Sequence, residues 1–368
     1  MKNKYKVLGL MSGTSMDGLD CLLCDIYLDE FYNFEYEIID FQTVPYSEYI
    51  RQQIETSLVG DNKTITETDE LLGKLFAEIS IKYLNGRKID VVGSHGQTIA
   101  HIDGVSSTQI GNPKYLAQSL EVPVIYDFRT ADIYGGGNGA PLVPFLDWLL
   151  YKNSQKDVIT LNIGGISNLT HIPKSGNRNE VVGFDTGPGM SLIDECAKLF
   201  WNVNYDENGS YSANGVVIDD LLKKLLNHPF ISQIPPKSTG RDAFGIELLK
   251  QVISENPKQS SNNIIRTMVE FTAKSISVNI QNFLNFQQSD IQLIVNGGGV
   301  HHPILMKRLK ELLEIEVLEG FRTAVNPDSK EALLMAVLAV AKIKNISANM
   351  PSVTGAKEFI ILGKMKIS

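Results

Sequence analysis

Apolar residues come in short runs along this chain, and the runs end in glycine. Residues 5–10 (YKVLGL) form the first run, Met11-Ser-Gly-Thr-Ser-Met-Asp-Gly18 follows, and Leu19–Tyr27 forms the second. Two strands joined by a turn rich in Gly and Asp account for this pattern. Residues 35–44 read as a third strand. Over 68–85, Leu71, Leu72, Leu75, Phe76, Ile79 and Tyr83 repeat at helical spacing. Ile89–Gly93 reads as a buried strand that ends in Ser94-His-Gly-Gln-Thr98, with a helix at about 113–120 and a strand at Val122–Tyr126 beyond it.

A similar order then recurs. Val158–Ile163 reads as a strand, Gly164-Gly-Ile-Ser-Asn168 as a turn, and Leu169–Ile172 as extended chain. Val181–Asp185 is a further strand, and Gly187-Pro-Gly189 opens a helix to about Trp201. Helices are expected at 216–227, 243–254 and 262–284. Ile291–Asn296 is a strand, followed by Gly297-Gly-Gly299, a helix at about 302–313 and a last helix at about 329–344. A strand-rich opening used twice, each time followed by alternating helices and strands, predicts two related α/β domains. The expected boundaries are 1–134 for the first domain, with 329–368 packing back on it, and 135–328 for the second.

Length agrees with this count, since 368 residues at roughly 150 per domain give two. Lys and Arg number 34 against 42 Asp and Glu, a net charge of −8, so the basic footprint of a general nucleic-acid binder is missing. No apolar run approaches the roughly 18 residues of a membrane span. The N-terminus carries no signal-peptide pattern, and a cytoplasmic protein is expected. Three cysteines cannot build a disulfide framework. Cys21 and Cys24 have C-x-x-C spacing, but on a strand they face opposite sides and read as structural.

The candidate chemistry lies in four glycine-rich turns, each after an expected strand: Ser12–Gly18, Gly164–Gly165, Gly187–Gly189 and Gly297–Gly299. Glycine lets backbone N–H groups approach an anion closely. Neither G-x-x-x-x-G-K-[ST] nor a dinucleotide G-x-G-x-x-G is present. Turns of this kind in this order resemble the actin-like ATPases, which include sugar kinases. The fold class implied is α/β, with two related actin-like (ribonuclease H-like) domains around an ATP cleft.

A narrower resemblance rests on seven motifs in order: Met11-Ser-Gly-Thr-Ser-Met-Asp-Gly-Leu-Asp20, Ser94-His-Gly-Gln-Thr98, Gly139-Ala-Pro-Leu-Val-Pro144, Leu161-Asn-Ile-Gly-Gly-Ile-Ser-Asn-Leu-Thr170, Gly183-Phe-Asp-Thr-Gly-Pro-Gly189, Pro235-Pro-Lys-Ser-Thr-Gly-Arg241 and Lys330-Glu-Ala332. Together they resemble the anhydro-N-acetylmuramic acid kinase family. The resemblance implies an ATP- and Mg²⁺-dependent enzyme. It would open the 1,6-anhydro bond of the muramic sugar with water and phosphorylate the 6-oxygen, in cell-wall recycling. A homodimer is implied too.

Carried over residue by residue, the resemblance makes Asp185 the general base and Glu331 a supporting active-site group. Asp328-Ser-Lys-Glu331 also has capping-box spacing, a structural reading of the same Glu. Gly13, Thr14, Ser15, Met16, Asp17, Gly18, Leu19 and Asp20 are expected around ATP, as are Gly164, Gly165, Gly297, Gly298 and Gly299. Asp17 or Asp20 would orient Mg²⁺ through water. His95, Gln97, Thr98, Arg129 and Asp132 are expected to bind the sugar, with Arg129 and Arg241 rivals for its lactyl carboxylate. The spacing of His95 and His101 does not make a zinc site, and His301-His302 reads as a helix start. Met190, Asn138 and His301-His302 depart from the family pattern. A kinase for another amino sugar or hexose, without ring opening, is the alternative. A non-enzymatic ATP-dependent binding protein is a further rival, and a sugar-responsive repressor another.

Overall fold

The computed structural model describes residues 3–13, 16–284, 290–320 and 326–368. The chain parts into two compact units, residues 1–150 with 328–368, and residues 151–327.

In the first unit the strands are β1 (Tyr5–Ser12), β2 (Gly18–Leu28), β3 (Phe34–Pro45), β4 (Val91–Ile102), β5 (Ser106–Ile110) and β6 (Val124–Tyr126). Their order is β6-β4-β1-β2-β3, with β5 hairpinned onto β4 and the short strand Lys364–Lys366 added beside β6. β1, β2 and β3 run antiparallel, whereas β4 is parallel to β1 and β6 to β4. β1 and β2 are buried along most of their length, as their near-continuous apolar runs require. β3 alternates in exposure, as an edge strand covered on one face should.

Leu8 and Leu10 face a core shared with Leu72 and Phe76 of helix Asn62–Leu84 and Leu116 of helix Pro113–Leu120. Helix Lys330–Ile343 is apolar almost all round and is buried from Ala332 to Ala341. Gly9 and Gly93 are register partners on β1 and β4. A Cβ on either would stand 2.1 Å from a carbonyl oxygen of this helix, Ala332 for Gly9 and Met335 for Gly93. The two glycines let the helix rest directly on the sheet.

In the second unit the strands are β7 (Asp157–Ile163), β8 (Ile166–Ile172), β9 (Val182–Pro188), β10 (Ile291–Asn296) and β11 (Glu316–Glu319). Their order is β11-β10-β7-β8-β9. Again the first three are antiparallel and the last two parallel. Both sheets therefore repeat one topology, an antiparallel meander extended by parallel strands on the side of its first strand. Helices Ser191–Trp201, Ile246–Glu255, Ser261–Phe283 and Pro303–Leu313 supply the apolar cover.

Several elements differ from the sequence reading. Helix Asn62–Leu84 begins six residues before 68, because Asp61 caps it by accepting from the Thr64 N–H at 2.9 Å. Helix Glu48–Leu58, capped by Ser47, was not expected. Ser94–Thr98 does not end the strand but forms the middle of β4, which returns through Asp103-Gly104 into β5. Strand β9 runs on to Pro188, and the next helix starts at Ser191 rather than at Gly187. The capping box at Asp328 does not form. A 3₁₀ turn, Pro327–Ser329, leads into the last helix, so Ser329 has helical angles (φ −90°, ψ −7°) and makes no side-chain cap. Helix Val143–Tyr151 belongs, but for its last residue, with the first unit. There its Asp147 pairs with Lys330, and its Phe145 and Trp148 meet the ring of Tyr32.

Candidate active site

In the first unit Gly13 follows β1, Gly18–Asp20 open β2, His95, Gln97 and Thr98 lie midway along β4, and Arg129 and Asp132 follow β6. Thr14 and Ser15 lie outside the described residues. Met16 has left-handed backbone (φ 57°) and donates its N–H to the Gly13 carbonyl at 3.1 Å. Asp17 is exposed. Gly18 is needed for packing, because a Cβ there would stand 2.4 Å from the Val44 carbonyl oxygen. Leu19 turns its side chain into the core, so only its backbone is available to a nucleotide. Asp20 accepts from the Thr43 hydroxyl at 2.6 Å. Burial raises its pKa; the Thr43 bond opposes this, and the charges of Asp17 and Asp328 add to the rise.

Glu331, in the first turn of the last helix, keeps accessible surface. Its pKa is also raised, by desolvation first and then by Asp20, against Arg129 and Lys330. Asp20, Glu331 and Arg129 thus form one electrostatic cluster. Among the described residues no three His, Cys, Asp or Glu side chains are grouped to hold a metal by themselves.

Arg129 donates through Nη1 to the Gly139 carbonyl and through Nη2 to His95 Nε2, both at 3.0 Å. Its Nε is buried without a hydrogen-bond partner. Burial lowers its pKa to about 10, partly offset by Glu331, so it stays charged at neutral pH. Guanidinium only donates, so His95 Nε2 must accept, and its Nδ1–H then donates to the Gly96 carbonyl at 2.9 Å. Both ring nitrogens are thereby used. His95 orients Arg129 and has no nitrogen left for a sugar hydroxyl.

Burial and the Arg129 charge push the His95 pKa down to about 3, outweighing the Gly96 bond. The folded state therefore holds a neutral imidazole, while an unfolded His protonates near 6.5. Stability from this group is complete above pH 6.5 and is lost as pH falls toward 3, at up to about 1.4 kcal/mol per pH unit. His95→Gln is expected to remove that slope. Urea midpoints measured between pH 7 and 4.5 for both proteins check it, and parallel curves would count against it.

Gln97 is buried and supports the edge of β1. The Tyr46 hydroxyl donates to Ser12 Oγ (2.7 Å), which donates to Gln97 Oε1 (2.6 Å). The Thr98 hydroxyl accepts from Gln109 at 3.2 Å. Asp132 is fully buried and takes Asn349, Thr354 and the Gly139 N–H, each at 2.9 Å. It ties the 135–139 loop to the C-terminal segment. The geometry gives Asp132 a structural role in place of the expected contact with sugar. Asn138 joins the same tie, its N–H donating to the Thr354 carbonyl at 2.8 Å.

In the second unit the glycine turns meet at the ends of β7 and β10. Gly297, with φ 81°, and Gly299 press on Asn162 and Ile163, while a Cβ on Gly298 would meet nothing within 4 Å. Gly189 is required by a crossing, since its Cβ would stand 2.2 Å from the Gly164 carbonyl oxygen. The Gly189 and Met190 N–H groups donate to Gly165 and Gly164. Met190, where the family pattern differs, packs on the core. A cavity of about 580 Å³ lies beside the Gly297–Gly299 turn, lined in part by Val300, His301, Met306 and Lys307. His302 caps the helix Pro303–Leu313 through Nδ1 and donates through Nε2 to buried Asp206 at 3.2 Å, a structural pair.

Asp185 lies on β9 opposite Asn168, close to the β7–β8 turn. Its Oδ2 accepts from the Ser238 hydroxyl (3.1 Å) and the Thr239 N–H (2.8 Å), and its own N–H donates to the Lys237 carbonyl (3.1 Å). The guanidinium of Arg241 lies across Gly165, about 3.1 Å from where a Cβ would stand. Two groups escaped the sequence reading. Asp194 has a buried Oδ1 without a partner, and desolvation raises its pKa to about 6 against the pull of Lys198 and Arg241. Lys237 is buried beside Asp185. It lies inside the Pro235–Arg241 motif. Cys21, Cys24 and Cys196 are buried, and burial pushes the first two thiols up to about 12, far from redox-active values.

A sequence profile of the family described as Anhydro-N-acetylmuramic acid kinase matches residues 5–367. A protein of that name from Francisella tularensis subsp. novicida is 37% identical over 99% of both chains. Those from Clostridioides difficile and Bacillus cereus are 38% and 36% identical, over 97% and 98% of both chains. Among the described residues no helix is long and apolar enough to cross a membrane.

Proposed function

The chain belongs to the anhydro-N-acetylmuramic acid kinase family, and from that premise we propose how its residues divide the work. The protein is an ATP-dependent kinase of peptidoglycan recycling. It opens 1,6-anhydro-N-acetylmuramic acid with water and phosphorylates it to N-acetylmuramic acid 6-phosphate.

Asp185 takes the proton of the water that attacks the anomeric carbon. The bond from that carbon to the 6-oxygen breaks, the 6-oxygen takes the γ-phosphoryl group, and ADP leaves. An inverting glycosidase uses one carboxylate for water and a second acid for the leaving oxygen. Here the phosphoryl group captures the leaving oxygen, so one base suffices. The observation that carries this reading is the fastening of Asp185 Oδ2 by two donors, which fixes the carboxylate at the glycine-rich edge.

The glycine turns suit the phosphates, because open backbone at Gly298 admits close approach. Asp17 and Asp20 suit Mg²⁺. Burial raises the Asp20 pKa first and the charges of Asp17 and Asp328 add to it, and a hydrated divalent ion would offset that negative charge. The ion would neutralise charge on the transferring phosphoryl group. Arg129 is the better partner for the lactyl carboxylate than Arg241, because its orphaned Nε asks for an acceptor. The charge of Glu331 favours the charged form of Arg129. A homodimer and a cytoplasmic setting belong to the same proposal.

The test is turnover of the anhydro sugar with ATP in ¹⁸O-labelled water. One label at the anomeric carbon and none in the phosphate is expected, with an unlabelled-product blank to control exchange. Label in the phosphate, or turnover of N-acetylglucosamine in place of the anhydro sugar, would overturn the reading.

A further inference from the structure

Lys237 is a cation buried without a carboxylate at ion-pair distance among the described residues. Its Nζ donates to the carbonyls of Phe230 (3.0 Å) and Ile231 (3.1 Å). The same nitrogen lies 4.8 Å from the ring centroids of Phe230 and Phe283 and 5.8 Å from that of Phe184. Burying a charge is costly unless it is bonded, and two carbonyls with three ring faces offset that cost.

The backbone then leads from this cage to the reacting group. The Lys237 carbonyl accepts the Asp185 N–H, and the next two residues, Ser238 and Thr239, donate to Asp185 Oδ2. Burial lowers the Lys237 pKa to about 8, and Asp185 is the charged group that works against the drop. That coupling is reciprocal, so the ammonium favours ionised Asp185. Elsewhere in the second unit Arg308, Lys274 and Arg266 act on Glu270, and His228 caps the Pro229–Ser232 turn through Nδ1.

We propose that Lys237 is a positioning residue for Asp185: anchored in its phenylalanine cage, it fixes the two donors on that carboxylate and keeps the carboxylate ionised. This rests on Asp185 as the base.

Lys237→Met keeps much of the volume and removes the charge and the donors. It is expected to lower kcat about ten- to a hundred-fold, with both KM values within about threefold. The acidic limb of the kcat–pH profile should move up by about one pH unit, because Asp185 loses groups that favour its charged form. Ser238→Ala should move the limb the same way by less. If Lys237→Met proves insoluble, Phe283→Leu, which thins the cage and spares the ammonium, is read in the same way. Unchanged kcat in Lys237→Met, or a fall with the limb unmoved, would overturn the proposal. Asp185→Asn run alongside separates the two ideas. Its wild-type activity would remove the base itself, whereas an inactive Asp185→Asn beside a normal Lys237→Met removes only the positioning role.

Discussion

Asp185→Asn is expected to lower kcat for the anhydro sugar by about 10²–10⁴-fold, the range a positioned general base contributes. The carboxamide is nearly isosteric, and its oxygen can still accept from Ser238 and Thr239. The fold of the second unit should therefore persist, with ATP binding held within a few-fold. What disappears is a basic oxygen for the proton of the attacking water. Single-turnover formation of labelled product in ¹⁸O water separates this loss from slow product release. A variant that keeps more than a tenth of wild-type kcat would mean that another group takes the proton. Asp194, with its buried, unpartnered oxygen, would then be the next residue to change.

Much of this architecture was legible in the sequence, and what was hidden has identifiable causes. The repeated meander showed itself because β1, β2, β7 and β8 are apolar runs broken by glycine. Strand β4 beyond Gly93 was obscured because seven consecutive residues from Val91 are buried, so the period-two alternation of a half-exposed strand is absent. Its hairpin signal, Asp103-Gly104, was present. Helix Asn62–Leu84 lost its first turns because they are polar, and there the cap at Asp61 marks the start better than hydrophobicity does.

The site was legible as motifs but not as roles. His95, Arg129 and Asp132 all look like ligand-binding residues in one dimension. Only the hydrogen bonds separate a histidine with both nitrogens used, an arginine with a donor to spare, and an aspartate saturated in the interior. Lys237 was hidden for the same reason. Its partners are two carbonyls and three rings spread over residues 184–283, and no local spacing encodes them.

The second large effect is expected at Gly9, a residue that carries no chemistry. Its added Cβ would meet the Ala332 carbonyl oxygen at 2.1 Å and the Ala336 Cβ at 3.2 Å, backbone and core that cannot swing aside. Overpacking of this kind costs about 1–3 kcal/mol. Gly9→Ala must push helix Lys330–Ile343 off the sheet or unsettle β1. Either response displaces the first turn of the helix, which carries Lys330, paired with Asp147, and Glu331. Gly93→Ala makes the same collision one turn further on, at Met335. The two variants should lose similar stability, while Gly9→Ala loses more kcat because its collision is next to Glu331. Urea unfolding followed by Trp148, in a Trp201→Phe background, reads the first unit. Equal stability losses with equal kcat would mean that the position of Glu331 is not what the glycines protect. Wild-type stability in both would mean that the helix does not rest on the sheet at these points.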